Sequence, residues 1–229
     1  DQDSVPDKWN EGEDDQDIEK VKVQYFDLSL RKWVTQAIVT ENGEDKIIES
    51  GHKAEDDPED VVKVDLKKSK INSVTIKFRY KIRVKNEGNI AGYAKELKDY
   101  IPDGLKFVAE DNPLWKQIDE KTITTDQTKD ILLQPGDTTE VEVLLTWIND
   151  SENFGVMDNW AEISKDHNDF NSPDIDSTPD NNKKGEDDID DAPVSVGVQT
   201  GQIRTFTTIG LAVLVILSSG VALIKKFVL

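Results

Sequence analysis

Cysteine is absent from the 229 residues, which excludes disulfides, thiolate metal sites and cysteine nucleophiles. Imidazole is scarce as well. His52 and His167 are the two histidines, the only imidazoles open to serve as bases or ligands and a poor basis for a zinc site or a catalytic triad. Positive charge is in deficit: 28 Lys and Arg face 47 Asp and Glu, a net charge of −19. Beyond residue 200 the chain holds Arg204, Lys225 and Lys226 and no acid, so the body is more acidic still. Such a field works against phosphate backbones and anionic lipid surfaces, so nucleic acid is not an expected partner. No secretory leader precedes this body, and the chain is expected to start in the middle of a longer protein.

Long apolar runs are also rare, with one exception. Phe206 to Ile224 carries no charge, and at about 1.5 Å per helical residue it matches a hydrocarbon core of ~30 Å. Lys225 and Lys226 follow, with three residues beyond. The positive-inside rule then places the C-terminus in the cytoplasm and the acidic body outside, making the membrane a partner through a single pass.

The two ends of the remaining chain match each other. Asp3-Ser4-Val5-Pro6-Asp7, Gly12-Glu13-Asp14-Asp15, Val21 and Val23 align without a gap on Asp176-Ser177-Thr178-Pro179-Asp180, Gly185-Glu186-Asp187-Asp188, Val194 and Val196. An ordered set of Ser, Pro, Gly and Val at one offset is the mark of a tandem array. Residues 1–20 then read as the tail of a preceding repeat.

Between these markers the period is two. Val74, Ile76, Phe78, Tyr80, Ile82 and Val84 alternate with Thr75, Lys77, Arg79, Lys81 and Arg83, a long half-buried strand with a cationic outer face. Val141, Val143, Leu145 and Trp147 repeat the pattern. Shorter apolar runs lie at 23–39, 46–48, 61–66, 105–108, 122–124, 131–133, 160–163 and 194–198, separated by turn signals such as Asn42-Gly43, Asn86-Glu87-Gly88 and Pro135-Gly136-Asp137. This spacing predicts an all-β, antiparallel β-sandwich over residues 21–165. An acidic linker over 166–193, a last strand and pentapeptide over 194–201, the transmembrane helix at 206–224 and a cytoplasmic tail at 225–229 complete the expected order. Ala91 to Lys98 fits either a helical turn or an irregular crossover.

Phe26-Asp27-Leu28-Ser29-Leu30-Arg31-Lys32-Trp33, Tyr80 to Gly88, Asp99-Tyr100-Ile101-Pro102-Asp103-Gly104-Leu105, Asn159-Trp160-Ala161-Glu162-Ile163 and the tail from Asp176 to Asp188 together resemble the domain-of-unknown-function-11 extracellular repeats of Gram-positive surface proteins. The resemblance covers nearly all of residues 1–196. It implies an Ig-like sandwich in a stalk or an adhesin, without naming a ligand. At the wall end, Gly197, Val198, Gln199, Thr200 and Gly201, followed by the apolar span and two lysines, resemble a variant sortase sorting signal lacking the usual Leu-Pro. That resemblance implies cleavage between Thr200 and Gly201 and transfer to peptidoglycan by a sortase transpeptidase. A plain membrane anchor is the alternative.

The same resemblance points to an internal staple. Collagen-adhesin-type sandwiches join a lysine amine to an asparagine amide with help from a buried carboxyl, in the order lysine, aspartate, asparagine. Lys32, Asp99 and Asn159 stand in that order. Burial favours the neutral amine and a protonated carboxyl, the states this chemistry uses. Asp27 or Glu162 are alternative acids, and the plain alternative is a solvated lysine with a turn-capping asparagine.

Asp174, Asp176, Asp180, Asp187 and Asp188 supply oxygens at spacings open to calcium, although an acidic run more commonly reads as a hydrated spacer. Trp33, Trp147 and Trp160 read as core, and Trp115, after Asp111-Asn112-Pro113, as the one tryptophan placed to touch a ligand. His52 and His167 read as inert loop residues. The function expected is presentation of upstream domains by a non-enzymatic surface repeat, with direct binding of a host or matrix ligand as the alternative.

Overall fold

In a computed structural model of the chain, residues 2, 4–7, 17–56 and 60–199 are described. The apolar span at 206–224, Thr200 and Gly201 lie outside them. Among the described residues no helix is long and apolar enough to cross a membrane.

Eleven strands follow in order: β1 (Leu28–Glu41), β2 (Glu44–Glu49), β3 (Val62–Leu66), β4 (Val74–Asn86), β5 (Tyr93–Tyr100), β6 (Leu105–Phe107), β7 (Lys116–Gln117), β8 (Thr122–Thr125), β9 (Thr138–Trp147), β10 (Gly155–His167) and β11 (Ile189–Val198). They form two sheets, ordered β2-β1-β4-β9-β6 and β3-β11-β10-β5-β8-β7. The fold is mostly β, with 50% of residues in strands. Every pairing is antiparallel apart from β11 with β3, which run parallel, so the sandwich is not purely antiparallel as expected.

The alternation in β4 does what its sequence dictates. Ile76, Phe78, Tyr80, Ile82 and Val84 are fully buried between the sheets, facing Leu97, Ile123 and Ile163 of the second sheet in one continuous core. Its outer face is cationic only in isolation. Arg79 pairs with Glu142, Lys81 with Glu140, Arg83 with Glu140 and Glu55, and Lys77 with Asp111. Glu140 and Glu142 of the neighbouring β9, with Glu55 and Asp111 from outside the strands, thus offset the charge that β4 presents.

Two stretches depart from expectation. Ala91 to Lys98 is neither a helical turn nor a crossover, since residues 93–100 form β5, an inner strand between β10 and β8. Its alternation is broken by shifts in register against β10 at Ile163, Lys165 and Asp166. Residues 166–193 do not trail off as a linker. Asp166 and His167 end β10, residues 189–193 begin β11, and the loop between packs back on β1: Leu28 N–H donates to Asp174 Oδ2 (2.8 Å) and Leu30 N–H to the Asp187 carbonyl (2.7 Å). Buried backbone groups need partners, and this loop supplies those that β1 lacks on its free edge.

The internal sequence match extends to local geometry. Asp7 and Asp180 share a left-handed backbone, with φ of 63° and 62°. Ser4 and Ser177 are both buried with hydroxyls unpartnered among the described residues.

Candidate functional site

β1 belongs to the first sheet, β5 and β10 to the second, and one side chain from each meets in the core. Leu28, Leu30, Lys32 and Val34 occupy the same face of β1. Lys32 is the one cation in that row and is 2% exposed. On β10, Ala161 pairs with Asp99 of β5, which brings Asn159 and Asp99 diagonally together on the inward face. Both are fully buried.

The three groups form a closed ring of hydrogen bonds. Lys32 Nζ donates to Asp99 Oδ2 (2.6 Å) and to Asn159 Oδ1 (2.6 Å). The Asn159 amide Nδ2 donates to Asp99 Oδ1 (2.8 Å) and to the Tyr100 carbonyl (3.0 Å). Tyr80 lies with its ring centroid 5.0 Å from Nζ. Burial drives the Lys32 pKa below its ordinary value, opposed by the charge and hydrogen bond of Asp99. Taking these charges from water is costly, and structural ion pairs of this kind seldom improve stability over apolar packing.

The ring has the parts of an acyl transfer. The amine is bonded to the oxygen of the amide it would attack, and its burial favours the neutral, nucleophilic form. Asp99 touches both the amine and the amide nitrogen that would leave, so one carboxyl can take a proton from the first and deliver it to the second. Neither alternative acid occupies this place. Glu162 accepts from the Tyr100 hydroxyl (2.5 Å) and from the amides of Asn181 and Asn182 (2.6 and 2.8 Å). Asp27 lies in a separate acidic cluster. Sequence reasoning missed Tyr80 beneath the amine and Asp190, whose carboxylate accepts the Lys32 backbone amide at 2.7 Å. Strand parity places Tyr80 on the core face, but nothing local points Asp190 at β1.

Of the five acids expected to hold calcium, three gather and two do not. Asp174, Asp176 and Asp187, joined by Asp27, offer oxygens that lie within 4.8 Å of one another. Asp180 instead pairs with Lys98. Asp188 is buried nearby, its pKa pushed up to about 7 by burial and then by Glu162 and Glu186. Asp27 was not legible as a member because it stands at the opposite end of the domain sequence. Its pKa is raised to about 6, and that of Asp187 to about 7, each chiefly by burial and then by the neighbouring carboxylates.

The remaining candidates belong to neither the Lys32 ring nor the acidic cluster. Trp115 is 5% exposed and donates its indole N–H to the Glu142 carbonyl at 2.7 Å, so it is a core anchor and not a ligand platform. Trp147 is core and Trp33 is buried too, 5% exposed with Arg83 5.4 Å from its ring, whereas Trp160 is half-exposed beneath Lys184 at 3.7 Å. His167 ends β10, stacked on Tyr93, and is not a loop residue. Gly197 and Val198 belong to β11, paired with Asp65 and Leu66 of β3, and the Gln199 amide donates to the Leu66 carbonyl at 2.8 Å. The pentapeptide therefore begins inside the sheet. No family model matches the chain, and no curated protein matches it at a significant level.

Proposed function

We propose that this chain is a non-enzymatic stalk repeat at the membrane-proximal end of a cell-surface protein, an Ig-like sandwich stapled across its sheets by an amide bond between Lys32 and Asn159. The observation that carries this reading is the buried ring of Lys32, Asp99 and Asn159, with the amine 2.6 Å from the asparagine oxygen. In the reaction, neutral Nζ attacks the Asn159 side-chain carbonyl carbon. Asp99 accepts the proton released from nitrogen and passes it to the departing amide nitrogen, which leaves as ammonia. One C–N bond forms, one breaks, and no oxidant is consumed.

A bond from β1 to β10 suits a domain without cysteine that carries load. Forced unfolding is governed by a rate, and hydrogen bonds yield one after another while a covalent staple does not. The matched geometry at Ser4/Ser177 and Asp7/Asp180 supports a tandem array, and the apolar run at 206–224 followed by two lysines supports attachment at the envelope. The Thr200-Gly201 step supports exchange of that anchor for cell wall by a sortase. Intact mass of the full chain in detergent tests the staple. The reading predicts a deficit of about 17 Da, one ammonia, that disappears in Lys32→Ala and in Asp99→Ala. An uncorrected mass in the unmutated chain contradicts it.

A further inference from the structure

At the end of the sandwich where β1 begins, four carboxylates from three separate stretches converge: Asp27 just before β1, Asp174 and Asp176 in the loop after β10, and Asp187 just before β11. Asp174 is held in place by its own bonds. Its Oδ2 accepts the Leu28 amide at 2.8 Å, and its Oδ1 accepts the amides of Asp176 and Ser177 at 3.4 and 3.3 Å. The cluster carries up to four negative charges, and Lys85 is the cation felt at Asp27, outweighed there by Asp174, Asp176 and Glu87.

A second observation separates this cluster from an ordinary acidic surface. Oδ1 of Asp27 and Oδ1 of Asp187 are buried and have no hydrogen-bond partner among the described residues. Ser177, whose backbone amide is bonded to Asp174, is 8% exposed, and its hydroxyl has no hydrogen-bond partner among the described residues. Buried oxygens without donors are costly, and two of them, on Asp27 and Asp187 within one cluster of carboxylates, call for a shared positive partner. The donor set contains oxygen alone, with no nitrogen or sulfur, which selects a hard cation. Ligands drawn from an irregular loop and two strand ends suit calcium, which tolerates six to eight oxygens in flexible geometry, better than magnesium, which requires a near-ideal octahedron.

We propose that Asp27, Asp174, Asp176 and Asp187 form a calcium site that fastens the acidic loop and the start of β11 to the start of β1. The site stands apart from the Lys32 ring and does not depend on it. Bound calcium would hold the last segment of the repeat against its first strand, so that the junction between successive repeats is stiff when calcium is present and loose when it is absent.

Thermal unfolding of the full chain in detergent, with EGTA or with 1 mM calcium chloride at matched ionic strength, tests the site. The expected result is a Tm higher by about 5 °C or more in calcium, lost in the double variant Asp27→Asn, Asp187→Asn. That variant removes mutual repulsion, so in EGTA it should unfold no earlier than the unmutated chain, which establishes that it folds. Terbium luminescence sensitised by tryptophan gives a direct binding readout on the same samples and should saturate and be displaced by calcium. Absence of a calcium-dependent shift overturns the proposal, as does a shift that persists in the double variant. An equal shift with magnesium at the same concentration reduces the effect to charge screening and also overturns it.

Discussion

A lysine sealed inside a β-sandwich with an aspartate and an asparagine is a poor way to stabilise a fold unless its chemistry is used. Lys32→Ala removes the staple and leaves Asp99 buried without its cation, and we expect a loss of about 3–5 kcal/mol by denaturant unfolding. The double variant Lys32→Met, Asp99→Asn removes both charges while keeping volume. It should recover much of that stability but none of the cross-link, which distinguishes a covalent role from an electrostatic one. The acidic cluster makes a different prediction with the opposite sign to ordinary acid denaturation. Asp27 and Asp187 have folded pKa values raised to about 6 and about 7. The folded state therefore holds protons that the unfolded state has released between the ordinary carboxylate range and about 7. Their contribution to stability falls as pH rises through that window and returns as pH drops. In EGTA, the unmutated chain should gain Tm from pH 8 to pH 5.5 relative to Asp27→Asn, Asp187→Asn, as differential scanning calorimetry would measure.

Among the elements, the segment from β10 to β11 differs from a hydrated linker for local reasons. Asp-Asp-Ala-Pro at 190–193 reads as a linker, yet those residues pair with β10 in an inner strand. Proline is tolerated there because a missing N–H matters only where the ladder needs a donor. β5 escaped for a related reason, since Asp99 occupies a core position that hydrophobic periodicity reserves for apolar residues. By contrast β4 and β9 were legible residue by residue, because an apolar residue at every second position leaves one way to bury the face. The order Lys32, Asp99, Asn159 was legible through resemblance alone. Their convergence depends on which strands become neighbours, and no local pattern encodes that. Glu162 is the clamp on the loop, holding the amides of Asn181 and Asn182. Glu162→Ala should abolish slow hydrogen exchange at those two amides while leaving β4 protected. At the opposite end of the loop's contact, Gly88 packs against backbone: a Cβ there would lie 2.8 Å from the Tyr25 carbonyl and 2.9 Å from the Asp27 amide. Backbone cannot step aside as a flexible side chain can, so Gly88→Ala should cost about 1–3 kcal/mol.

On the scale of the whole molecule, the proposed staple divides the chain mechanically. A bond between Lys32 and Asn159 shields every residue between them from extension. Pulled from its two ends in a force microscope, the stapled repeat should release a contour shorter by about 400 Å than Lys32→Ala, at about 3.4 Å per shielded residue. Equal contours would leave the domain unstapled. The acidic loop completes the same design at the other boundary, since it ties the last strand of the repeat to the first. On the two proposals together, a load entering at the start of β1 would meet two fastenings: one formed by carboxylates at the domain's end and one formed by an amide in its core.

The most direct measurement is tandem mass spectrometry of a tryptic digest of the full chain. The account predicts a branched peptide in which the Lys32 side chain is joined to that of Asn159, with no trypsin cleavage after Lys32. Recovery of two linear peptides, one ending at Lys32 and one carrying an intact Asn159 amide, would contradict it.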